Sequence, residues 1–315
     1  MESRTAPWLV ALLVAGCHLP LPDPSAVEDG AGSGADAGSW SWRAVALSHP
    51  NTLHGLWGSS ESDVWAVGNG GLILHHDGKA WGSVTSPTSS DLNAVCGAGQ
   101  AVWAVGDGGT ILRRNGGAWT EETSPVQQDL NGVWSDGAEA WAVGAGGTLL
   151  HHDGASWTAS SEGTDDLKAV WGSSPEEVWA VGSNGTLLNN SGGTWTRSPA
   201  VTTRTVFGVW GRSATDVFAA AAGGAVLHHD GSAWSLTDVD AGVTFRAVAG
   251  QGASGAVWTV GDRGGDGVIH GLQGGKGWQP AGGLPGAILH AVWVAPSGLA
   301  WAAGGGTGEA LRYGP

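Results

Sequence analysis

The chain has 315 residues, with 57 glycines and 20 tryptophans beside one tyrosine and three phenylalanines, and a formal charge of −15 from 13 basic and 28 acidic side chains. That acidity argues against nucleic acid and against electrostatic binding to anionic lipid, and is compatible with a soluble extracellular face. Length alone would allow two domains.

Taken in order, Arg4 precedes an apolar run, Trp8 to Ala15, too short to span a bilayer at ~20 residues. The run ends in Leu13-Val14-Ala15-Gly16-Cys17, which closely resembles the lipobox of bacterial lipoproteins; Glu2 in the charged n-region is a departure. The resemblance implies removal of residues 1–16 and lipidation of Cys17, with an ordinary secretory signal or a short membrane anchor as the alternative. The residue after the cysteine is His18, where Asp would imply inner-membrane retention, so an outer-membrane lipoprotein is expected; without lipidation the chain would be periplasmic or secreted. Residues 17–38 then comprise the lipidated cysteine and a flexible tether rich in Pro, Gly, Ala, Ser and Asp. With Cys17 acylated no intrachain disulfide is available, and Cys96 reads as a buried small apolar residue.

From Leu53 onward one pattern is written seven times. The Trp of Trp-Ala-Val-Gly falls at Trp65, Trp103, Trp141, Trp179, Phe218, Trp258 and Trp301, at intervals of 38, 38, 38, 39, 40 and 43 residues. A fixed period in this range marks a repeat architecture. Each copy holds four short apolar runs; in the first they are Leu53 to Trp57, Val64 to Gly68, Leu72 to His76 and Trp81 to Thr85. None is long enough for a helix, and Val-, Leu- and Trp-rich runs of this length read as strands. Asn69-Gly70-Gly71 and Asp77-Gly78, with their counterparts, read as hairpin turns needing positive φ. Four antiparallel strands per repeat make one propeller blade, with a β-solenoid as the rival.

Tryptophan recurs at three places per copy: ending the first run (Trp57, Trp134, Trp171, Trp210, Trp293, with Cys96 and Ala249 standing in), at the anchor, and opening the fourth run (Trp81, Trp119, Trp157, Trp195, Trp234, Trp278). These read as blade-to-blade packing; glycan stacking is open only to rings that reach solvent. Trp42 precedes Leu53 by the same 11 residues that separate Trp81 from Leu92, and the seventh copy stops at the end of a third run, Leu311-Arg312-Tyr313. An N-terminal strand, Ser41 to Leu47, therefore fills the last blade. The expected fold is all-β: a seven-bladed propeller over residues 39–315, closed by an N-terminal strand.

Several motifs invite a chemical reading. His75-His76-Asp77, His151-His152-Asp153 and His228-His229-Asp230 resemble metal ligands in type, but adjacent strand residues point to opposite faces, and the slot also takes Arg113-Arg114 and Asn189-Asn190. It reads as an exposed strand end, and no metal or cofactor is expected. The Gly-rich turns lack the carboxylates or helix of calcium and phosphate sites. No catalytic trio is evident, and Glu121-Glu122, Asp165-Asp166 and Glu176-Glu177 read as solvated loop charge. The most informative slot lies one residue into each first run: His54, Asn93, Asn131, Lys168, Phe207, Arg246 and His290, each followed by Gly or Ala. First strands lie nearest the propeller axis, so these seven should ring one mouth of the channel and form a site for an anion or a polar ligand.

Trp171-Gly172-Ser173-Ser174-Pro175-Glu176-Glu177-Val178-Trp179-Ala180-Val181-Gly182 resembles the repeat of bacterial tandem-repeat propeller lipoproteins. The repeats are also similar to photosystem II assembly-factor-like and sialidase-repeat propellers. Sialidase-type catalysis would need a Tyr nucleophile with clustered arginines, whereas Tyr313 falls in the closing blade and the arginines are scattered. Val102-Trp103-Ala104-Val105 through Arg113-Arg114-Asn115-Gly116-Gly117-Ala118-Trp119 looks like a tectonin lectin blade, which would imply binding of surface glycan or lipopolysaccharide. The expected function is a non-enzymatic, lipid-anchored, monomeric surface scaffold for a protein or glycan, touching the membrane only through its anchor. A tectonin-like lectin, or a hydrolase with an unrecognised site, are the alternatives.

Overall fold

The computed structural model describes residues 40–47, 49–252, 255–306 and 308–315. The expected leader over 1–16, the lipidation site Cys17 and the tether over 18–38 lie outside the described residues. The first blade is an antiparallel meander of Leu53–Ser60, Asp63–Gly68, Ile73–His76 and Trp81–Val84. Its second strand is buried along nearly its whole length, which is why Val64-Trp65-Ala66-Val67 is continuously apolar instead of alternating. The fourth strand is an edge and carries little besides its tryptophan. The first strand runs past the expected end at Trp57 to Ser60, because Gly58 and Ser60 pair back to Val64 and Asp63.

Six further four-stranded sheets complete the ring. Each first strand packs against the first strands of both neighbours, Leu53–Ser60 against Ile288–Val294 included. The chain is thus a closed seven-bladed β-propeller. Its last blade orders Ile288–Val294, Ala300–Gly305, Glu309–Gly314 and then Ser41–Ala46, which pairs antiparallel with Glu309–Gly314 from Ser41↔Gly314 to Ala46↔Glu309. Leu47 ends one residue outside the strand, its N–H donating to the Gly308 carbonyl at 2.8 Å.

The turn between second and third strands shows why Gly or Asn is needed there. In the fourth blade Asn184 takes φ 56°, the one described non-glycine in the left-handed region. The next residue, Gly185, sits so close to the following loop that a Cβ would lie 1.8 Å from the Thr202 carbonyl oxygen.

Two aromatic contacts repeat at the blade joints. The second-strand aromatic of each blade meets, edge to face, the fourth-strand tryptophan of the next: Trp65–Trp119, Trp103–Trp157, Trp141–Trp195, Trp179–Trp234, Phe218–Trp278 and Trp301–Trp81, with centroids 5.1–6.4 Å apart. At the joint of sixth and seventh blades the N-terminal strand supplies the partner, and Trp42 meets Trp258 at 5.5 Å. The first-strand tryptophan instead lies over a glycine of the next blade. Indole atoms of Trp57, Trp134, Trp171, Trp210 and Trp293 come within 2.5–3.1 Å of where a Cβ on Gly97, Gly172, Gly211, Gly250 and Gly58 would sit. Where Cys96 and Ala249 replace the tryptophan, the position facing them in the next blade is Ser135 and Val294, not glycine. Volume lost on one side of the joint is restored on the other. Cys96 is 5% exposed, as expected of this slot.

This pairing has a testable consequence. Ala249→Trp alone drives an indole into Val294 and is expected to cost about 1–3 kcal/mol by overpacking. Combined with Val294→Gly it recreates the Trp210–Gly250 geometry and regains most of that loss. Denaturant midpoints of the two singles and the double give the coupling; strict additivity would contradict the paired-slot account.

Candidate functional site

The seven variable residues share one backbone peculiarity. Pairing of first with second strand skips a residue in every blade, between Leu53 and Gly55, Leu92 and Ala94, Leu130 and Gly132, Leu167 and Ala169, Val206 and Gly208, Phe245 and Ala247, and Leu289 and Ala291. The skipped residues are His54, Asn93, Asn131, Lys168, Phe207, Arg246 and His290. Each is the extra residue of a β-bulge, left out of the ladder. All seven line one cavity of about 200 Å³ at the axial mouth. The residue after each bulge is small because the first strands touch: a Cβ on Gly132 or Gly208 would lie 3.0 Å from the Cα of Ala169 or Ala247 in the next blade.

The mouth is asymmetric. Asn93 and Asn131 clamp the neighbouring blades, their Nδ2 donating to the carbonyls of Leu130 at 3.1 Å and Leu167 at 2.7 Å. Asn93 Nδ2 also donates to Asp107 Oδ1 at 2.9 Å. The remaining arc is cationic and aromatic. Lys168 Nζ reaches Asp166 at 3.2 Å, and Arg246 Nε reaches Asp262 at 2.9 Å while its guanidinium lies 5.7 Å from the Phe207 ring centroid. His54 meets His290 edge-on at 5.2 Å, and its Nε2 bonds Asn69 Oδ1 at 2.5 Å. His290 is pulled down to about 4, first by burial and then by His54 and Arg246, with Asp262 opposing, so its ring is neutral at pH 7. The positive charge read from the sequence is therefore largely compensated. Asp166 and Asp262 turn an anion trap into a ring of mixed donors and acceptors around one apolar face, Phe207.

The His-His-Asp segments are packing motifs. The first histidine stacks on its own blade's anchor and bonds an acid of the second strand or the turn before it: His75 on Trp65 with Asp63, His151 on Trp141 with Glu139, His228 on Phe218 with Asp216, at 2.7–2.8 Å. The second packs against the previous blade, His76 on Trp301, His152 on Trp103 and His229 on Trp179. Burial lowers the pKa of these three, keeping each neutral so that Nδ1 accepts from the N–H of Gly78, Gly154 and Gly231 at 3.1–3.2 Å. The expectation of an exposed strand end is thus corrected, since His152 is 2% exposed. Arg113 and Arg114 take the same two places over Trp103 and Trp65, 4.7 and 4.8 Å from the centroids. Among the described residues no group of three or more His, Cys, Asp or Glu is placed to hold a metal. Nor is Asp165 idle loop charge, because it accepts from Asn184, Thr186 and Arg197 at 2.8–2.9 Å.

Fold and site together define a seven-bladed β-propeller with a small axial mouth of bulge residues. No protein-family model matches the chain, and no curated protein matches its sequence. Among solved structures it is similar to YCF48 bound to D1 peptide, with TM-score 0.70 and 20% identity over 87% of this chain and 97% of that one. It is similar also to YCF48 from Cyanidioschyzon merolae, with TM-score 0.69 and 21% identity over 87% and 99%. The RRP9 WD40 repeats superpose at TM-score 0.73 with 12% identity over 88% and 98%. At such identities the likeness is one of fold.

Proposed function

We propose that the protein is a non-enzymatic binding module of the cell envelope, anchored through Cys17, whose axial mouth receives a polar segment of a protein partner. The observation that carries this is the bulge ring. The scaffold repeats itself blade after blade, and the one slot released from the ladder and aimed into a shared cavity holds five different residue types. A cavity of about 200 Å³ takes a side chain or a chain end, not a folded domain. The mixture of Asn, His, Lys–Asp and Arg–Asp groups suits a polar peptide, and a propeller of this fold is seen with a peptide in YCF48. The ring does not depend on the anchor, so protein recognition and membrane attachment are separable.

Replacing Lys168 and Arg246 together with Ala is expected to abolish capture of the partner from envelope extracts while lowering the melting temperature by no more than about five degrees, since each side chain is 27% exposed and loses one ion pair, to Asp166 or Asp262, worth about 1 kcal/mol or less. A partner retained at full affinity would remove the mouth from consideration. The anchor is tested by intact mass of the full chain. Acylation should appear on Cys17; because the chain has only two cysteines, a Cys17–Cys96 disulfide would leave no thiol to acylate and would end the lipoprotein reading.

A further inference from the structure

Trp40 is the one described tryptophan that lies outside the three recurring slots. Its indole is 44% exposed, against the buried or half-buried rings of the joints. It packs on Tyr313 at 5.4 Å and 54°, and Tyr313 in turn is held by Trp42 at 5.4 Å and Trp258 at 4.9 Å. These rings form a stepped aromatic wall running from the core of the joint between the sixth and seventh blades out to solvent. The wall bounds a cleft of about 510 Å³ whose other side is the hairpin linking Asp266–Leu272 to Trp278–Leu284, with Gln273, Lys276 and Gln279. Gln279 is oriented by its Nε2 donating to the Lys276 carbonyl at 3.2 Å. Among the described residues no Asp or Glu lines the cleft.

We propose that this cleft is a carbohydrate-binding site for a neutral or anionic sugar unit, independent of the axial mouth. A pyranose has an apolar C–H face and a rim of hydroxyls. The exposed Trp40 face, held in place by Tyr313, is a rigid platform for the first, and burying it there removes apolar surface from water. The side-chain amides of Gln273 and Gln279 each carry donor and acceptor in one plane, the pattern that vicinal hydroxyls match, and Lys276 adds a donor able to meet a carboxylate or phosphate substituent. A cationic ligand would find no counter-charge. The volume lies within the ~300–1,000 Å³ of small-ligand pockets, and the cleft is too narrow for the ~800 Å² per side of a folded partner. The site arises where the first and last strands of the propeller pair, because Trp40 belongs to the lead-in of the closing strand and has no counterpart in the other described blades.

The test is isothermal titration of the full chain with cellotetraose, chitotetraose, maltotetraose and tetragalacturonate at millimolar concentration. At least one should bind. Trp40→Ala and Gln279→Ala should each weaken it about tenfold or more, with melting temperature changed by no more than about two degrees, and Trp40→Phe should retain part of the affinity. The Lys168→Ala/Arg246→Ala pair should leave sugar binding unchanged, which separates this site from the axial one. Absence of binding to all four sugars, affinity that survives Trp40→Ala, or equal loss in the axial variant would each overturn the proposal. So would preferential binding of a peptide spanning residues 19–26, the Pro-rich start of the tether, which would make the cleft a dock for the chain's own N-terminal segment.

Discussion

Deleting residues 39–48 is expected to destabilise the propeller by several kcal/mol, whereas deleting residues 18–38 should leave its melting temperature unchanged within about two degrees. The closing strand Ser41–Ala46 makes the whole outer ladder of the last blade, pairing with Glu309–Gly314 over six residues. Its loss exposes that strand as an unpaired edge. It also removes Trp42, and with it the edge-to-face contact to Trp258 that stands at the same place in every joint. Loss of a core tryptophan costs about 3–5 kcal/mol; Trp42 is half-buried, so its share lies near the lower end, and the lost strand pairing adds to it. Against a typical total of ~5–15 kcal/mol this is a large fraction. The segment 18–38 has the composition of a tether and no apolar period, so its loss removes no core. Thermal unfolding of the two truncations decides the matter: equal midpoints would mean that the N-terminal strand does not close the ring.

Trp103→Ala and Trp134→Ala are each expected to cost about 3–5 kcal/mol, while Trp40→Ala costs ~0.5 kcal/mol or less. Trp103 is 2% exposed and serves three partners at once: Trp157 edge-on at 5.2 Å, His152 at 4.9 Å and the Arg113 guanidinium at 4.7 Å. Trp134 is 1% exposed and fills the hollow over Gly172. The Trp134 void cannot collapse easily, because the first strands on either side of that joint already touch at Gly132 and Ala169. The Trp103/Trp157 pair should show a coupling of about 0.5–1.5 kcal/mol in a double-mutant cycle. Denaturant midpoints of the three single variants provide the comparison. A small loss at Trp103 would mean that the joints are held by the strands alone.

Much of this was visible in the chain before any coordinates. The spacing of Trp65, Trp103, Trp141 and Trp179 states the blade, and the matching intervals before Leu53 and Leu92 state the closure. The seven axial residues stand out because everything around them repeats and they do not. Two further signals were present and unread. Trp40 stands outside every tryptophan slot, and Ser135 and Val294 replace glycine in just the blades that follow Cys96 and Ala249. The first needed only a count of slots; the second needed the knowledge that those positions face each other across a joint.

What the sequence determined by itself is local to one blade: strand, turn, strand, and the burial that makes the second strand apolar throughout. Such features follow from periodicity, turn chemistry and hydrophobicity along a short stretch, so a repeat spells them out seven times. The relations between blades, and those off the ladder, come from the folded ring. The bulge at His54 and its six counterparts is a register shift between two strands, and no residue type announces it. The compensation of Arg246 by Asp262 depends on where the second strand returns to the mouth, whereas Lys168 is met by Asp166 from two residues upstream in its own segment. The edge-to-face joints depend on how one blade is rotated against the next, and the aromatic cleft exists because the first and last strands of the propeller pair beside a single joint. A repeated sequence encodes each unit against its own backbone. The contacts that give one joint or one mouth a different chemistry come from the few residues that break the repeat, and their meaning is set by the partners that ring closure brings to them.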